Sequence, residues 1–286
     1  MSRISLYLSF LIIWMSFWSC GLGDDEKPIP FFLNLNSPKV LEPLQNTIGT
    51  HKITEAWVFA DGQIQGVYPL PSVAPLHLTN EKTEIKILAG IKNNGMNDTP
   101  IFYPFMKEIP LVLNPKANET YNVPLNFSYT EASKFSVNEN FEGNHIFTFN
   151  LDSKTEPKML ATTEQSRTGA KSGMVVLNSS NRFVEVGTQS SVIKGFNARG
   201  ESYVEFDYKG EGEIAVGIAK SRNGFFVVEY ILFIPAKTDW NHIYVDFTDK
   251  ISPNDFDSYK MVLAFTKTGS SAESKVFIDN YKHVHF

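Results

Sequence analysis

Strand signals begin at Lys52 and hardly stop, and no helical period of useful length interrupts them. In Lys52–Ala60, Ile53, Glu55, Trp57 and Phe59 face one way and Thr54, Ala56, Val58 and Ala60 the other, which is the period-two pattern of a half-buried strand. Asp61-Gly62 follows, and an Asp-Gly pair between apolar runs predicts a hairpin because glycine accepts the positive φ that primed turns require. The return strand is Gln63–Tyr68. Pro69, Pro71 and Pro75 predict an edge crossing, and Glu84–Leu88, Leu111–Leu113 and Asn122–Tyr129 supply further strands. Residues 50–130 thus read as a small antiparallel sandwich of the immunoglobulin-like kind.

Residues 131–138 form a short polar joint, and the pattern resumes over 139–286. Strands are predicted at Gly173–Leu177, Ser202–Lys209, Glu213–Ile218, Phe225–Ile234, His242–Phe247, Met261–Phe265 and Lys275–Phe286. Closely spaced strands with Gly and Asn turns indicate a two-sheet jelly roll. The fold class is therefore all-β, with two β-sandwich domains. Ahead of them, residues 20–49 carry prolines at 28, 30, 38 and 43 and no sustained period, and read as an extended linker.

Residues 1–19 read as a secretion signal, with Arg3 as the positive start and Ile4–Trp18 as an apolar run. A spanning helix needs about 20 apolar residues, and this run stops at Ser19-Cys20-Gly21. Cys20 is the only cysteine of the chain, so no intramolecular disulfide forms. The lone cysteine among small residues resembles the lipobox of bacterial lipoproteins, which implies lipid on Cys20 and a tethered mature chain. Asp24-Asp25-Glu26-Lys27 resembles the acidic export tag of surface lipoproteins in glycan-foraging Gram-negative bacteria, which implies the outer membrane, facing the exterior; an ordinary solvated linker is the other reading.

Composition narrows the partners. Acidic residues outnumber basic ones, 31 to 26, leaving a net charge of −5, which argues against a nucleic-acid footprint. Trp57–Gly62, Gly66, the proline-marked connection, Ile85–Ile87 and Gly90-Ile91 resemble PEGA-type and carboxypeptidase-regulatory-like sandwich domains, which serve as spacers or protein contacts. Asn140–Gly143, Ala170–Gly173, Asp239-Trp240, Ile243–Thr248 and Val276–Tyr281 look like the galactose-binding-like jelly rolls of many carbohydrate-binding modules. That resemblance implies a structural calcium ion held by Glu142 and Asp279, with carbonyls near Lys171 and Gly173.

Catalysis finds little support in the sequence. None of His51, His77, His145, His242, His283 and His285 belongs to a zinc-ligand or triad motif, and no nucleophile elbow or phosphate loop is present, so the chain is read as a non-enzyme. His283 and His285 share a strand face, which suits a weak metal site or, more simply, a strand end. Tyr203, Phe225, Phe226, Tyr230 and Tyr244 are candidate glycan-stacking rings, with core packing as the plainer role. Trp240 reads as a packing residue. Two functions compete: a surface lipoprotein that binds glycan through its jelly roll, and an accessory subunit of an outer-membrane transport or assembly complex.

Overall fold

The computed structural model describes residues 29–41, 48–78, 80–151, 158–193, 200–251 and 256–286. Residues 1–19, read from the sequence as a secretion signal, Cys20 and the Asp24–Lys27 run lie outside the described residues. The chain is all-β, and among the described residues no helix is long and apolar enough to cross a membrane.

The first body starts earlier than the pattern predicts. Pro30–Leu35 is a strand rather than linker: Phe31, Leu33 and Leu35 are fully buried, and the strand pairs parallel to Thr120–Val123 and antiparallel to Ser72–His77. Its prolines do not oppose this, because Pro30 opens the strand and needs only its carbonyl, which accepts the Asn118 N–H at 2.8 Å. Lys39–Leu41 likewise pairs with Asn126–Ser128. Ser72–His77, read as a crossing, is an edge strand, where Pro75 is tolerated. The remaining sheet carries Gln63–Pro69, Glu55–Ala60 and Thr83–Lys92, with Pro100–Phe102 and Ile109–Leu113 both paired to the last. The expected hairpin turns at Asp61 and Gly62, with φ of 48° and 78°.

The second body is a two-sheet sandwich. Its inner sheet runs Leu160–Thr162, Ser172–Asn178, Glu273–His285, Ser202–Gly210 and Lys237–Asp246, with Lys134–Glu139 also on Glu273–His285. The polar joint therefore shrinks to a turn at Thr130–Ser133. Its outer sheet runs Phe149–Asn150, Phe183–Gly187, Ser258–Lys267, Gly212–Arg222 and Phe225–Ile234. Val204, Phe206, Ile278 and Tyr281 from the inner sheet meet Val216, Ile218, Met261 and Leu263 from the outer one in a continuous core.

Alternation leaves each sheet a second face, and the two faces meet different fates. Tyr203, Tyr244 and Val284 on the inner sheet are buried against Tyr103 and Phe105 of the first body, in one apolar cluster. The Tyr103 ring lies 4.9 Å from Tyr244 and 5.5 Å from Tyr203, and Phe105 lies 4.6 Å from Phe286. The first body thus covers the inner sheet.

Candidate functional site

The covered face carries charges that a dry interface must neutralise. Glu205, Asp207, His242 and Lys282 project from neighbouring inner-sheet strands and are at most 4% exposed. His242 Nδ1 lies 3.2 Å from Asp207 Oδ1, its Nε2 lies 3.9 Å from Glu205, and Lys282 Nζ lies 3.7 Å from Glu205. The first body completes the set: Thr50 donates to Asp207 at 2.5 Å, and Tyr103 and Tyr129 donate to Glu205. Burial alone raises both carboxylates, but Lys282 and His242 outweigh it for Glu205, and His242, Thr50 and Asn280 outweigh it for Asp207, so both stay below their ordinary values. Burial works to lower His242, yet Asp207 and Glu205 raise it overall. Thr50 contacts Asp207 rather than the imidazole, and Arg167 approaches Asp207 from the surface at 3.7 Å. The arrangement can clamp two bodies together; it presents no nucleophile to a substrate.

The second face of the outer sheet is not covered by the described residues of the first body. The strand register places Phe149, Gly187, Val262, Gly217 and Tyr230 in one row, Glu185, Ala264, Ala215 and Phe233 in the next, and Lys260, Ala219 and Val228 in the row on the other side. Small side chains fill the middle of this face, where Ala219, Lys260, Val262 and Ala264 are at most 5% exposed. The Phe149 and Phe226 rings approach to 5.6 Å although their strands are opposite ends of the sheet order, so the face is concave. Lys260 Nζ lies 4.4 Å from the Phe149 ring centroid and 5.7 Å from that of Phe226, with the Thr188 and Gln189 carbonyls accepting its protons. Burial lowers the Lys260 pKa. Tyr230 donates to Glu185, and its ring lies 6.0 Å from Phe233. Tyr230, Phe226, Phe233 and Glu185 are not fully buried here and have the chemistry to stack a sugar ring and hydrogen-bond its hydroxyls, whereas Lys260 is buried and bonded within the chain.

The five candidate rings do not converge. Phe225, Phe226 and Tyr230 share the edge strand of the outer sheet, with Phe225 79% exposed. Tyr203 and Tyr244 are buried on the inner sheet between the bodies. Phe149, Glu185 and Lys260 belong to the concave face and escaped the sequence reading. Lys260 was legible, since Tyr259, Met261, Leu263 and Phe265 alternate into the core and turn it outward; Phe149, in a two-residue strand, left no periodic signal.

The two carboxylates expected to hold calcium are engaged otherwise. Glu142 Oε1 accepts the Ala170 and Lys171 N–H groups at 2.8 and 2.9 Å, and Asp279 Oδ2 accepts those of Arg167 and Thr168 at 2.8 and 3.1 Å. Those N–H donors occupy Oε1 of Glu142 and Oδ2 of Asp279, and among the described residues no group of three or more His, Cys, Asp and Glu is placed to hold a metal. Burial raises Asp279 to about 6, partly offset by those N–H donors. His283 and His285 do share a face, but each ring bonds a serine: Ser202 at 2.9 Å and Ser136 at 2.5 Å. Burial, then the neighbouring His285, lowers His283 to about 3. Trp240 lies half-buried in Lys237–Asp246.

No protein-family model and no curated protein matches the chain. Among solved structures, a family 29 carbohydrate-binding module complexed with cellulohexaose is similar at 16% identity and a TM-score of 0.35, covering 54% of this chain and 93% of that one. The C-terminal family 22 module of Clostridium thermocellum Xyn10B is similar at 11% identity, with a TM-score of 0.35 and coverage of 54% and 96%. A family 16 module is similar at 18% identity, with a TM-score of 0.31 and coverage of 44% and 84%.

Proposed function

We propose that this protein is a non-catalytic, lipid-anchored protein of the outer membrane that binds glycan on the concave outer sheet of its second body. One observation carries the reading: Phe226, Tyr230 and Phe233 with Glu185 lie together on the second face of the outer sheet, while the opposite sheet is occupied by the first body. The first body then acts as a rigid mount, and the acidic segment after Cys20 as the tag for display on the cell exterior.

Two experiments test this. Metabolic labelling with a palmitate analogue is expected to mark the wild type and not Cys20→Ala, and equal labelling of both contradicts the anchor. A glycan array probed with the full chain in detergent is expected to return a defined set of oligosaccharides, and a blank array contradicts the binding role. A second reading, an accessory subunit of an outer-membrane complex, draws on the sheet edge at Phe225 and Val227, which are 79% and 69% exposed. Stoichiometric co-purification of an outer-membrane protein together with a blank array favours that reading.

A further inference from the structure

At the seam between the bodies, a cleft of about 260 Å³ opens beside the edge of the inner sheet. Lys52, Lys92 and Asn94 line it from the first body, and Lys237, Asn241 and Phe233 from the second. Three of its lining residues are lysine and none among the described ones is Asp or Glu, in a chain whose acids outnumber its bases. Lys92 is neutralised by Glu55. Lys52 donates to the Asn241 side-chain carbonyl at 2.6 Å, and no ion pair joins it or Lys237 to a carboxylate among the described residues. Burial and then the charge of Lys237 lower the Lys52 pKa. His242, whose Nε2 makes no hydrogen bond, lines the same cleft.

Phe233 connects this cleft to the concave face. It is 60% exposed, lines the cleft, and shares a row with Glu185 of the outer sheet, its ring 6.0 Å from Tyr230. We infer that the cleft holds the anionic group, carboxylate or sulfate, of an acidic saccharide that also lies on the outer sheet. The inference rests on the glycan-binding reading and narrows its ligand class. Lys52 and Lys237, which no described carboxylate neutralises, attract such a group from solution, and the attraction weakens with salt.

The test uses the full chain in detergent as wild type, Lys52→Gln/Lys237→Gln and Lys237→Gln, on an array of neutral, uronate-bearing and sulfated oligosaccharides at low and high salt. Lys237 is exposed, so its single variant folds even if the double one does not. The wild type is expected to favour acidic over neutral saccharides by about tenfold or more, with the preference falling at high salt. Both variants are expected to reduce that preference and leave the melting temperature and neutral binding in place. Binding of neutral glycans without an acidic preference, or a preference that survives both variants, overturns the cleft and leaves the glycan role standing. Absence of any saccharide binding overturns both, even if inorganic sulfate titrates onto the lysines.

Discussion

His242 shows how one buried side chain makes the junction depend on pH. Its folded pKa is raised, so its stabilisation is complete below the unfolded imidazole value, about 6.5, and fades as pH rises through the folded value. Glu205 and Asp207 are lowered, so their contribution is complete above about 4 and is lost only as pH falls through their folded values. Asp279, raised to about 6, loses its own contribution as pH climbs from the ordinary carboxylate range to about 6, before the His242 window opens. The melting temperature is therefore expected to fall as pH rises beyond about 6.5, with a smaller fall in His242→Gln; identical profiles contradict the clamp. At Asp279 the loop amides of Arg167 and Thr168 bond the carboxylate. Calcium and chelator are expected to leave the melting temperature unchanged, whereas Asp279→Ala, by orphaning the Arg167 and Thr168 amides, is expected to cost about 1–3 kcal/mol. A calcium-dependent rise abolished in Asp279→Asn restores the cation site. The sequence identified both carboxylates as a constellation, but not the hydrogen bonds that occupy them, because backbone donors leave no trace in residue identity.

Among the elements, strands with long alternation were legible and short ones were not. Phe225–Ile234 matches its prediction at both ends, whereas Phe149–Asn150 and Leu160–Thr162 are too short to show a period. A bulge opposite Val216-Gly217 makes Ile231 an extra residue, so Phe233 joins Tyr230 on one face although strict alternation would separate them. Pro30–Leu35 hid behind its prolines despite the buried Phe31, Leu33 and Leu35. A linker residue exchanged for alanine changes stability by no more than about 0.5 kcal/mol, but Phe31→Ala is expected to cost about 3–5 kcal/mol, read as a lowered midpoint in denaturant. An unchanged midpoint returns this segment to the linker.

On the scale of the whole molecule, the decisive feature is which sheet the first body covers. Sequence reasoning reached the all-β class but not the parallel pairings of Pro30–Leu35 and Lys39–Leu41 in the first body, and its candidate rings fall on two different sheets. The cause is physical: Glu205, Asp207, His242 and Lys282 alternate with core residues as a solvated face would, and only their mutual neutralisation lets that face be buried. The outer sheet is then the surface on which the account stands or falls. Its most direct test is the affinity of the strongest array ligand for Phe226→Ala/Tyr230→Ala, beside Tyr203→Phe/Tyr244→Phe as the control on the covered sheet. Two stacking rings at about 0.5–1.5 kcal/mol each predict a loss of about tenfold in the first variant and wild-type affinity in the second. Loss confined to the Tyr203 and Tyr244 variant, or equal binding by both, contradicts a glycan site on the outer sheet.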